Sequence, residues 1–201
     1  MITIIDYGMG NLGSVRNALH KLGYNSEISS EPDRVMRASK VILPGVGAFE
    51  DAMANLTGKG LADALKEVAA REVPLLGICL GMQLFCEVSE ENGVHQGLNL
   101  VPGRVTRFQL PSSYKVPHMG WNQVEPVADS RLFAGIAADS HFYFVHSYHV
   151  NPGEPKWVGA YCQYGYDFVC ALEHHNLFAT QFHPEKSGEW GLRLLNNFAR
   201  F

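Results

Sequence analysis

The run VPLLGICLGMQLF, from Val73 to Phe85, is the most apolar stretch of the chain, and its pattern decides how the rest is interpreted. Val73 to Ile78 is typical of a buried strand, and the pattern from Met82 to Val88 predicts a helix. Between them, Gly77-Ile78-Cys79-Leu80-Gly81 has the form of a nucleophile elbow, with a glycine two residues to either side of a cysteine. Such a turn holds its central residue in a strained conformation at a helix start, where backbone N–H groups favour thiolate over thiol. Cys79 is therefore the candidate nucleophile, and the alternative is a structural cysteine buried between packing glycines.

Outward from this run, strand and helix patterns alternate along the first half of the chain. Predicted strands cover residues 2–5, about 25–29, 40–43 (broken by Pro44) and 73–78, and predicted helices cover 14–22, about 33–38, 48–57 and 61–71. Apolar strands that alternate with helices predict a largely parallel sheet with helices on both faces. In such sheets ligands bind beyond the carboxyl ends of the strands, so a site is expected at the turns after Ile5, Leu43 and Ile78.

The second half of the chain is dominated by strand patterns. They cover residues 101–108, 116–124, 142–150, 157–164, 168–174 and 177–182, and a helical stripe returns at about 187–200. We therefore expect an α/β fold in which antiparallel strands extend the parallel sheet. No repeat or linker divides the chain, so a single domain over residues 1–201 is predicted.

The composition excludes several classes of protein. Sixteen basic and 20 acidic side chains among 201 residues leave a net charge of −4, which argues against nucleic acid as the main partner. The opening MITIID has no basic flank typical of a signal peptide, and the 13-residue apolar run is too short to span a bilayer. A cytoplasmic protein that binds no membrane is expected. The four cysteines form no C-x-x-C pair, which argues against a zinc ribbon or a thioredoxin-like site, and a disulfide framework is not expected.

A cysteine nucleophile needs a base and a group that orients the base, and His183-Pro184-Glu185 contains both. Proline restricts its own backbone and that of the preceding residue, so the tripeptide is expected to be extended. In an extended chain residues i and i+2 point the same way, which would place the imidazole of His183 beside the carboxylate of Glu185. The alternative is an ordinary strand end.

A glycine-rich turn, Pro44-Gly45-Val46-Gly47-Ala48, follows the third predicted strand. It lacks the Lys-Ser/Thr of a phosphate-binding loop and does not match G-x-G-x-x-G, so its free N–H groups are better suited to an oxyanion than to a nucleotide. The alternative is a tight turn with no chemical role. The nine histidines include His146 and His149, but a strand does not aim residues i and i+3 at one point, and no H-E-x-x-H occurs. Neither a metal nor another cofactor is therefore expected.

Several motifs together resemble the class I, or triad, glutamine amidotransferases, and the resemblance covers nearly the whole chain. They are DYGMGNLGSV (6–15), LPGVGAF (43–49), GICLGMQ (77–83), PHMGWNQV (117–124), FVHSYHV (144–150) and QFHPEKS (181–187). Within the family, the N-terminal and HMGWN segments are similar to the glutaminase subunits that serve a cyclase of histidine biosynthesis. The resemblance implies a three-layer fold, hydrolysis of L-glutamine, and a heterodimer with a (β/α)₈-barrel cyclase subunit that receives the ammonia.

The resemblance also implies roles for individual residues. Cys79 would be the nucleophile, His183 the general acid/base and Glu185 its orienting group. Backbone N–H groups of Gly47 and Leu80 would form the oxyanion hole. Glutamine would be held by Gln83, Glu91 and the main chain at Ser147 and Tyr148, and the partner face would include Asn11, Trp121, Tyr143 and Lys186. For Gln83 the spacing adds support, because it lies four residues after Cys79 on the same predicted helix face.

Three other functions stay open at this point. The chain could be the glutaminase of a different synthase, such as a pyridoxal phosphate or anthranilate system, or a non-hydrolytic module with the same fold. A cysteine esterase or peptidase would also use a Cys-His-Glu set, and it would respond little to glutamine.

Overall fold

A computed structural model describes all 201 residues, which form 14 strands and six helices. The strands are β1 (Ile2–Ile5), β2 (Ser26–Ser29), β3 (Lys40–Gly45), β4 (Leu75–Cys79), β5 (Cys86–Ser89), β6 (His95–Gln96), β7 (Val101–Arg107), β8 (His118–Gln123), β9 (Glu125–Pro126), β10 (His141–His146), β11 (Tyr148–Pro152), β12 (Val158–Tyr164), β13 (Tyr166–His174) and β14 (Leu177–Thr180). The helices are α1 (Leu12–Lys21), α2 (Pro32–Met36), α3 (Phe49–Gly58), α4 (Leu61–Ala70), α5 (Leu80–Leu84) and α6 (Gly188–Ala199), with short 3₁₀ turns at Pro155–Trp157 and Pro184–Lys186.

Twelve strands form one sheet whose main path runs β2-β1-β3-β4-β14-β13-β11-β7-β5-β6. The strands from β2 to β14 are parallel to one another, and β13, β11 and β7 continue the sheet with antiparallel pairings. β8 and β10 form a separate antiparallel pair. The predicted α/β fold with an added antiparallel region is confirmed.

Two hydrophobic cores lie on the two faces of the sheet, because successive strand residues point to opposite sides. In β3, Val41 and Leu43 pack in one core with Leu65 of α4. Ile42, between them, packs in the other core with Leu194 of α6. The sheet is therefore covered by helices on both faces, as predicted.

The order of the central strands within the sheet determines where the site lies. β4 lies between β3 and β14, and all three run parallel. The carboxyl ends of parallel strands meet at one edge, so the turn after β3, Cys79 at the end of β4 and the segment after β14 come together.

The sequence analysis expected Pro44 to break the third strand, and this expectation is wrong. β3 continues to Gly45, and Pro44 and Gly45 pair with Ile78 and Cys79 of β4. On its other side β3 pairs with β1 only as far as Ile42. Pro44 therefore lies where the strand has a single neighbour, and a missing N–H is tolerated there.

The helix predicted over 82–88 is also wrong in its second half. α5 ends at Leu84, and Cys86–Ser89 forms β5, which pairs with β7 and β6. The apolar run satisfies both periodicities, and strand partners far along the chain decide between them.

The strand predicted over 142–150 is two strands. β10 pairs with β8, whereas β11 belongs to the large sheet, and Ser147 lies between them. The chain changes sheets at this residue, beside the site described next.

None of the six helices combines the length and the apolar composition that a membrane-spanning helix needs.

Candidate active site

Cys79 lies in a strained turn between β4 and α5, with φ 56° and ψ −109°. A positive φ is rare for a residue with a Cβ and persists only where surrounding structure enforces it. The two flanking glycines allow this turn. A Cβ on Gly81 would collide with the carbonyl oxygen of Leu43 in β3, and one on Gly77 would lie 2.7 Å from the carbonyl oxygen of Gly81. The predicted elbow is therefore present.

A cavity of about 340 Å³ opens in front of Cys79. Its lining includes eight of the nine residues that the sequence analysis assigned to catalysis, the oxyanion hole or glutamine binding: Gly47, Cys79, Leu80, Gln83, Glu91, Ser147, Tyr148 and His183. The ninth, Glu185, lies behind His183 and contacts it directly. Five separate segments of the chain thus converge on one cavity.

His183 and Glu185 form a buried pair. Nδ1 of His183 lies 2.9 Å from Oε1 of Glu185, and the two side chains are only 2% and 1% exposed. Burial alone would lower the pKa of His183, but interactions with the Cys79 sulfur and the Glu185 carboxylate outweigh burial and raise the pKa to about 9. The Nε2 atom makes no hydrogen bond of ordinary length and stays available for chemistry.

The sequence analysis expected an extended backbone over His183-Pro184-Glu185, and the structure shows this for His183 only. His183 has extended angles, but Pro184–Lys186 is a 3₁₀ turn. The turn brings imidazole and carboxylate together by curvature instead of by strand alternation. The main chain of His183 is held on both sides, since its N–H donates to Tyr143 O at 2.9 Å and its carbonyl accepts from Ser187 Oγ at 2.6 Å.

Gln83 and Glu91 line the cavity and are held by further hydrogen bonds. Nε2 of Gln83 donates to Tyr148 O and to Oε1 of Gln181, each at 3.1 Å. Glu91 Oε2 accepts from the backbone N–H of Phe49 at 2.8 Å, so this carboxylate also occupies the N-terminus of α3, where negative charge is favoured.

The glycine-rich turn after β3 places Gly47 beside the cavity with φ +98°. A Cβ at this position would lie 2.5 Å from Cε of Met9, so the turn after β1 packs against the turn after β3. Both the positive φ and this close packing require glycine.

Sequence reasoning missed two polar residues around the nucleophile. Gln181 Nε2 lies 3.8 Å from Cys79 Sγ. A polar residue directly after β14, two positions before His183, is the signal that could have indicated this contact. Tyr7 is fully buried and its hydroxyl has no partner. Burial and the nearby Cys79 raise the pKa of Tyr7, and no local pattern indicates that placement.

The other cysteines and the histidine pair have no comparable setting. All four cysteines are free, and burial raises the pKa of Cys86 and Cys162 to about 12. His146 and His149 do not converge, since His149 Nε2 bonds the Tyr166 hydroxyl at 2.9 Å. No group of three or more metal-ligating side chains is arranged to hold an ion.

Three of the four predicted partner-face residues are neighbours on or beside the β8–β10 pair. Trp121 is 57% exposed and its ring lies 6.2 Å from that of Tyr143, edge to face. Nζ of Lys186 lies 5.9 Å from the Tyr143 ring centroid. Asn11 lies elsewhere in the chain, directly before α1, a helix that packs against the 3₁₀ turn that carries Lys186.

Comparison with known proteins identifies the same family along the whole chain. The family model for class I glutamine amidotransferases matches residues 3–200. The chain is 55% identical over 197 residues to the imidazole glycerol phosphate synthase subunit HisH of Moorella thermoacetica, covering 98% of this chain and 93% of that protein. It is 49% identical to the subunit of the same name from Rhodopirellula baltica, over 99% and 97% of the two chains.

Solved structures agree on the fold. A crystal structure described as a glutamine amidotransferase superimposes with a TM-score of 0.78 at 17% identity, covering 100% of this chain and 98% of that one. The PurLQS structure from Thermotoga maritima gives 0.77 at 16% identity, over 99% and 97% of the chains. At these identities the likeness concerns the fold alone.

Proposed function

The chain belongs to the class I glutamine amidotransferases, within them to the glutaminase subunits of imidazole glycerol phosphate synthase, and from that premise we propose how its site works. Cys79 attacks the side-chain amide of L-glutamine, a glutamyl thioester forms, and ammonia passes directly to a (β/α)₈-barrel cyclase subunit. The observation that carries the proposal is a strained Cys79 that shares one cavity with His183, whose Nδ1 is paired with the buried Glu185.

The first half of the reaction forms the thioester. The Cys79 sulfur adds to the amide carbon, and the oxygen that becomes negative faces the backbone N–H groups of Gly47 and Leu80. The imidazolium of His183 gives its Nε2 proton to the departing nitrogen, the C–N bond breaks and ammonia leaves. A pKa of about 9 keeps His183 protonated at neutral pH, as this step requires.

The second half releases glutamate. His183, now neutral, accepts a proton at Nε2 from a water molecule whose oxygen adds to the thioester carbon. The C–S bond then breaks, which restores the Cys79 thiolate and the imidazolium. Glu185 stabilises the imidazolium through the 2.9 Å contact at Nδ1 in both halves.

Direct transfer of ammonia requires a partner close to the cavity. Ammonia that escaped into neutral water would become ammonium, which is not nucleophilic. The outer side of the β8–β10 pair exposes Met119 (63%) and Trp121 (57%), and Val145 on the same pair lines the cavity. Exposed aromatic and methionine side chains are typical of interface centres. We propose that the cyclase binds this face and that it also contacts Tyr143, Lys186 and Asn11.

With the cyclase, the synthase would make imidazole glycerol phosphate and an aminoimidazole carboxamide ribonucleotide in histidine biosynthesis. The cytoplasmic location expected from the sequence is part of the same proposal.

The test is glutamate release from glutamine, measured with the subunit alone, with the cyclase, and with the cyclase bound to its nucleotide ligand. We expect low activity alone and strong stimulation by the liganded cyclase. Stimulation by the synthase subunit of a pyridoxal phosphate or anthranilate system instead, or no glutamate release in any mixture, would refute the proposal.

A further inference from the structure

We propose that His118 and Asn122 are positioning residues that act through His146 to hold the main chain at Ser147 and Tyr148. The inference rests on the proposed function, in which that main chain binds glutamine. Two buried histidines and the half-buried Asn122, all from β8 and β10, form a hydrogen-bonded chain that ends on the Tyr148 carbonyl oxygen.

The outer end of this chain is oriented by backbone groups. Asn122 Oδ1 accepts from the N–H of Gln123 at 2.9 Å, and Asn122 Nδ2 donates to the carbonyl of Gln163 at 2.9 Å. A backbone N–H cannot accept and a carbonyl cannot donate, so the amide has one allowed orientation. Asn122 Nδ2 also lies 3.2 Å from Nε2 of His118, and since its second hydrogen points there, Nε2 must accept.

This orientation determines the tautomer of both histidines. His118 accepts at Nε2, so its proton is on Nδ1, which lies 3.0 Å from Nε2 of His146. His146 in turn accepts at Nε2 and carries its proton on Nδ1, 2.8 Å from the carbonyl oxygen of Tyr148. That carbonyl can only accept, so the two ends of the chain require the same direction of donation.

Both rings are neutral at physiological pH, as a single direction of donation requires. Burial lowers the pKa of His118 to about 4 and that of His146, despite a hydrogen bond to the Tyr148 carbonyl, to about 3. Each ring therefore has one proton, and its position depends on its neighbours. Both nitrogens of His146 are engaged, so His146 does not act as a base although it lines the cavity.

The Tyr148 carbonyl needs this support because the chain changes sheets at Ser147. Ser147 O accepts from the N–H of Phe108 at 3.0 Å. Tyr148 O accepts from His146 and from Gln83 Nε2 at 3.1 Å. Loss of the His146 donor would leave Gln83 as the only side chain that holds this carbonyl, and Gln83 is itself assigned to the substrate.

The decisive variant is Asn122→Asp, which keeps the shape of the side chain but cannot donate. His118 would then protonate at Nε2 to donate to the carboxylate, and His146 would protonate at Nε2 in response. The unprotonated Nδ1 of His146 would face the Tyr148 carbonyl, and repulsion would displace that main chain. Nitrogen-15 NMR of the histidine rings reads the tautomers directly. We expect Nδ1–H for both histidines in the wild type and Nε2–H for both in Asn122→Asp.

Kinetics in the synthase complex test the consequence for glutamine. We expect about a tenfold rise in KM for glutamine in Asn122→Asp and in His118→Phe, with kcat changed less than threefold. His118→Asn places an amide N–H near the position of Nδ1, so it should restore KM to within about twofold of the wild type. The matched control is His149→Phe. His149 is a buried imidazole in the aromatic cluster around Phe108, which also contains His118 and His146, but it takes no part in the hydrogen-bonded chain.

The outcomes separate this inference from the proposed function. Nε2–H tautomers in the wild type, or an unchanged KM in both Asn122→Asp and His118→Phe, would overturn the positioning role. An equal rise in KM in His149→Phe would also overturn it, because the effect would then reflect general loosening of the cluster. A wild-type complex with the expected tautomers but no glutamine turnover would refute the proposed function and with it the role assigned to Tyr148.

Discussion

Replacing Glu185 with glutamine tests the arrangement of the site most directly. The change keeps the size of the side chain and removes the negative charge 2.9 Å from Nδ1 of His183, in a place where both side chains are almost fully buried. Hydrogen bonds to charged groups contribute about 1.5–3 kcal/mol. The pKa of His183 is raised from 6.5 to about 9 by Cys79 and Glu185 against the opposing effect of burial. A loss of about 2 kcal/mol is therefore expected, which corresponds to about a 30-fold fall in kcat/KM.

The pH dependence of kcat/KM should also change in a definite direction. Because the imidazolium form of His183 is needed to protonate the leaving nitrogen, kcat/KM should fall as pH rises through about 9 in the wild type. Without the carboxylate the imidazolium is less stable, so this alkaline fall should move down by about 1–2 pH units in Glu185→Gln.

The assay is initial glutamate release from the synthase complex between pH 6 and pH 10, as a function of glutamine concentration. Glu185→Asp tests whether charge at a shifted position suffices, and Glu67→Gln, at an exposed site on α4, is the matched control. Circular dichroism would check that each variant is folded. A folded Glu185→Gln variant with kcat/KM within twofold of the wild type and an unmoved alkaline fall would refute the assigned role.

Three further predictions address the elbow and the loop beside it. Cys79→Ser should abolish glutamine hydrolysis without unfolding. An electrophilic glutamine analogue should label Cys79 but not Cys86, Cys162 or Cys170, because burial raises the pKa of those three thiols. Peptide mass spectrometry would show the labelled sites, and equal labelling of all four cysteines would contradict this. Gly81→Ala should lower the free energy of unfolding in urea by about 3 kcal/mol because its Cβ would collide with the Leu43 carbonyl, and a stability equal to wild type would count against this packing. Gly47→Ala should reduce the stimulation of kcat by the liganded cyclase more than it weakens glutamine binding. A Cβ disfavours the positive φ of Gly47, and with it the rotation that would turn the Gly47 N–H towards the oxyanion. Normal stimulation of this variant would exclude a switch at this turn.

The candidate catalytic residues could be predicted because their signals are local. Cys79 stands in a five-residue pattern with a glycine on each side. A Cβ on Gly77 would collide with the backbone of the turn itself, and a Cβ on Gly81 would collide with the neighbouring strand β3. His183 and Glu185 are two residues apart, so almost any turn after β14 brings them near each other. Their expected extended backbone was nevertheless wrong, and a 3₁₀ turn produces the same contact.

Boundaries failed where a long-range partner decides the conformation. The apolar run from Met82 to Val88 suits a helix and a strand equally, and pairing with β7, itself more than ten residues away, makes its second half a strand. Pro44 remains in β3 because β1 has already ended on that side. No glycine or proline interrupts residues 142–150, so nothing in the sequence there reveals that the chain leaves one sheet for another at Ser147.

The alternation of strands and helices, the nucleophile elbow and the pairing of a histidine with a carboxylate follow from the residues alone, since each depends on neighbours within a few positions. The fold of the whole chain is what makes Glu91 cap α3, brings Gln181 beside Cys79, and lets Asn122 and His118 reach the Tyr148 carbonyl through His146. Contacts of this second kind escape prediction because hydrogen bonds are directional and short. Which donor meets which acceptor across tens of residues depends on strand order and register, and these follow from the packing of the whole chain.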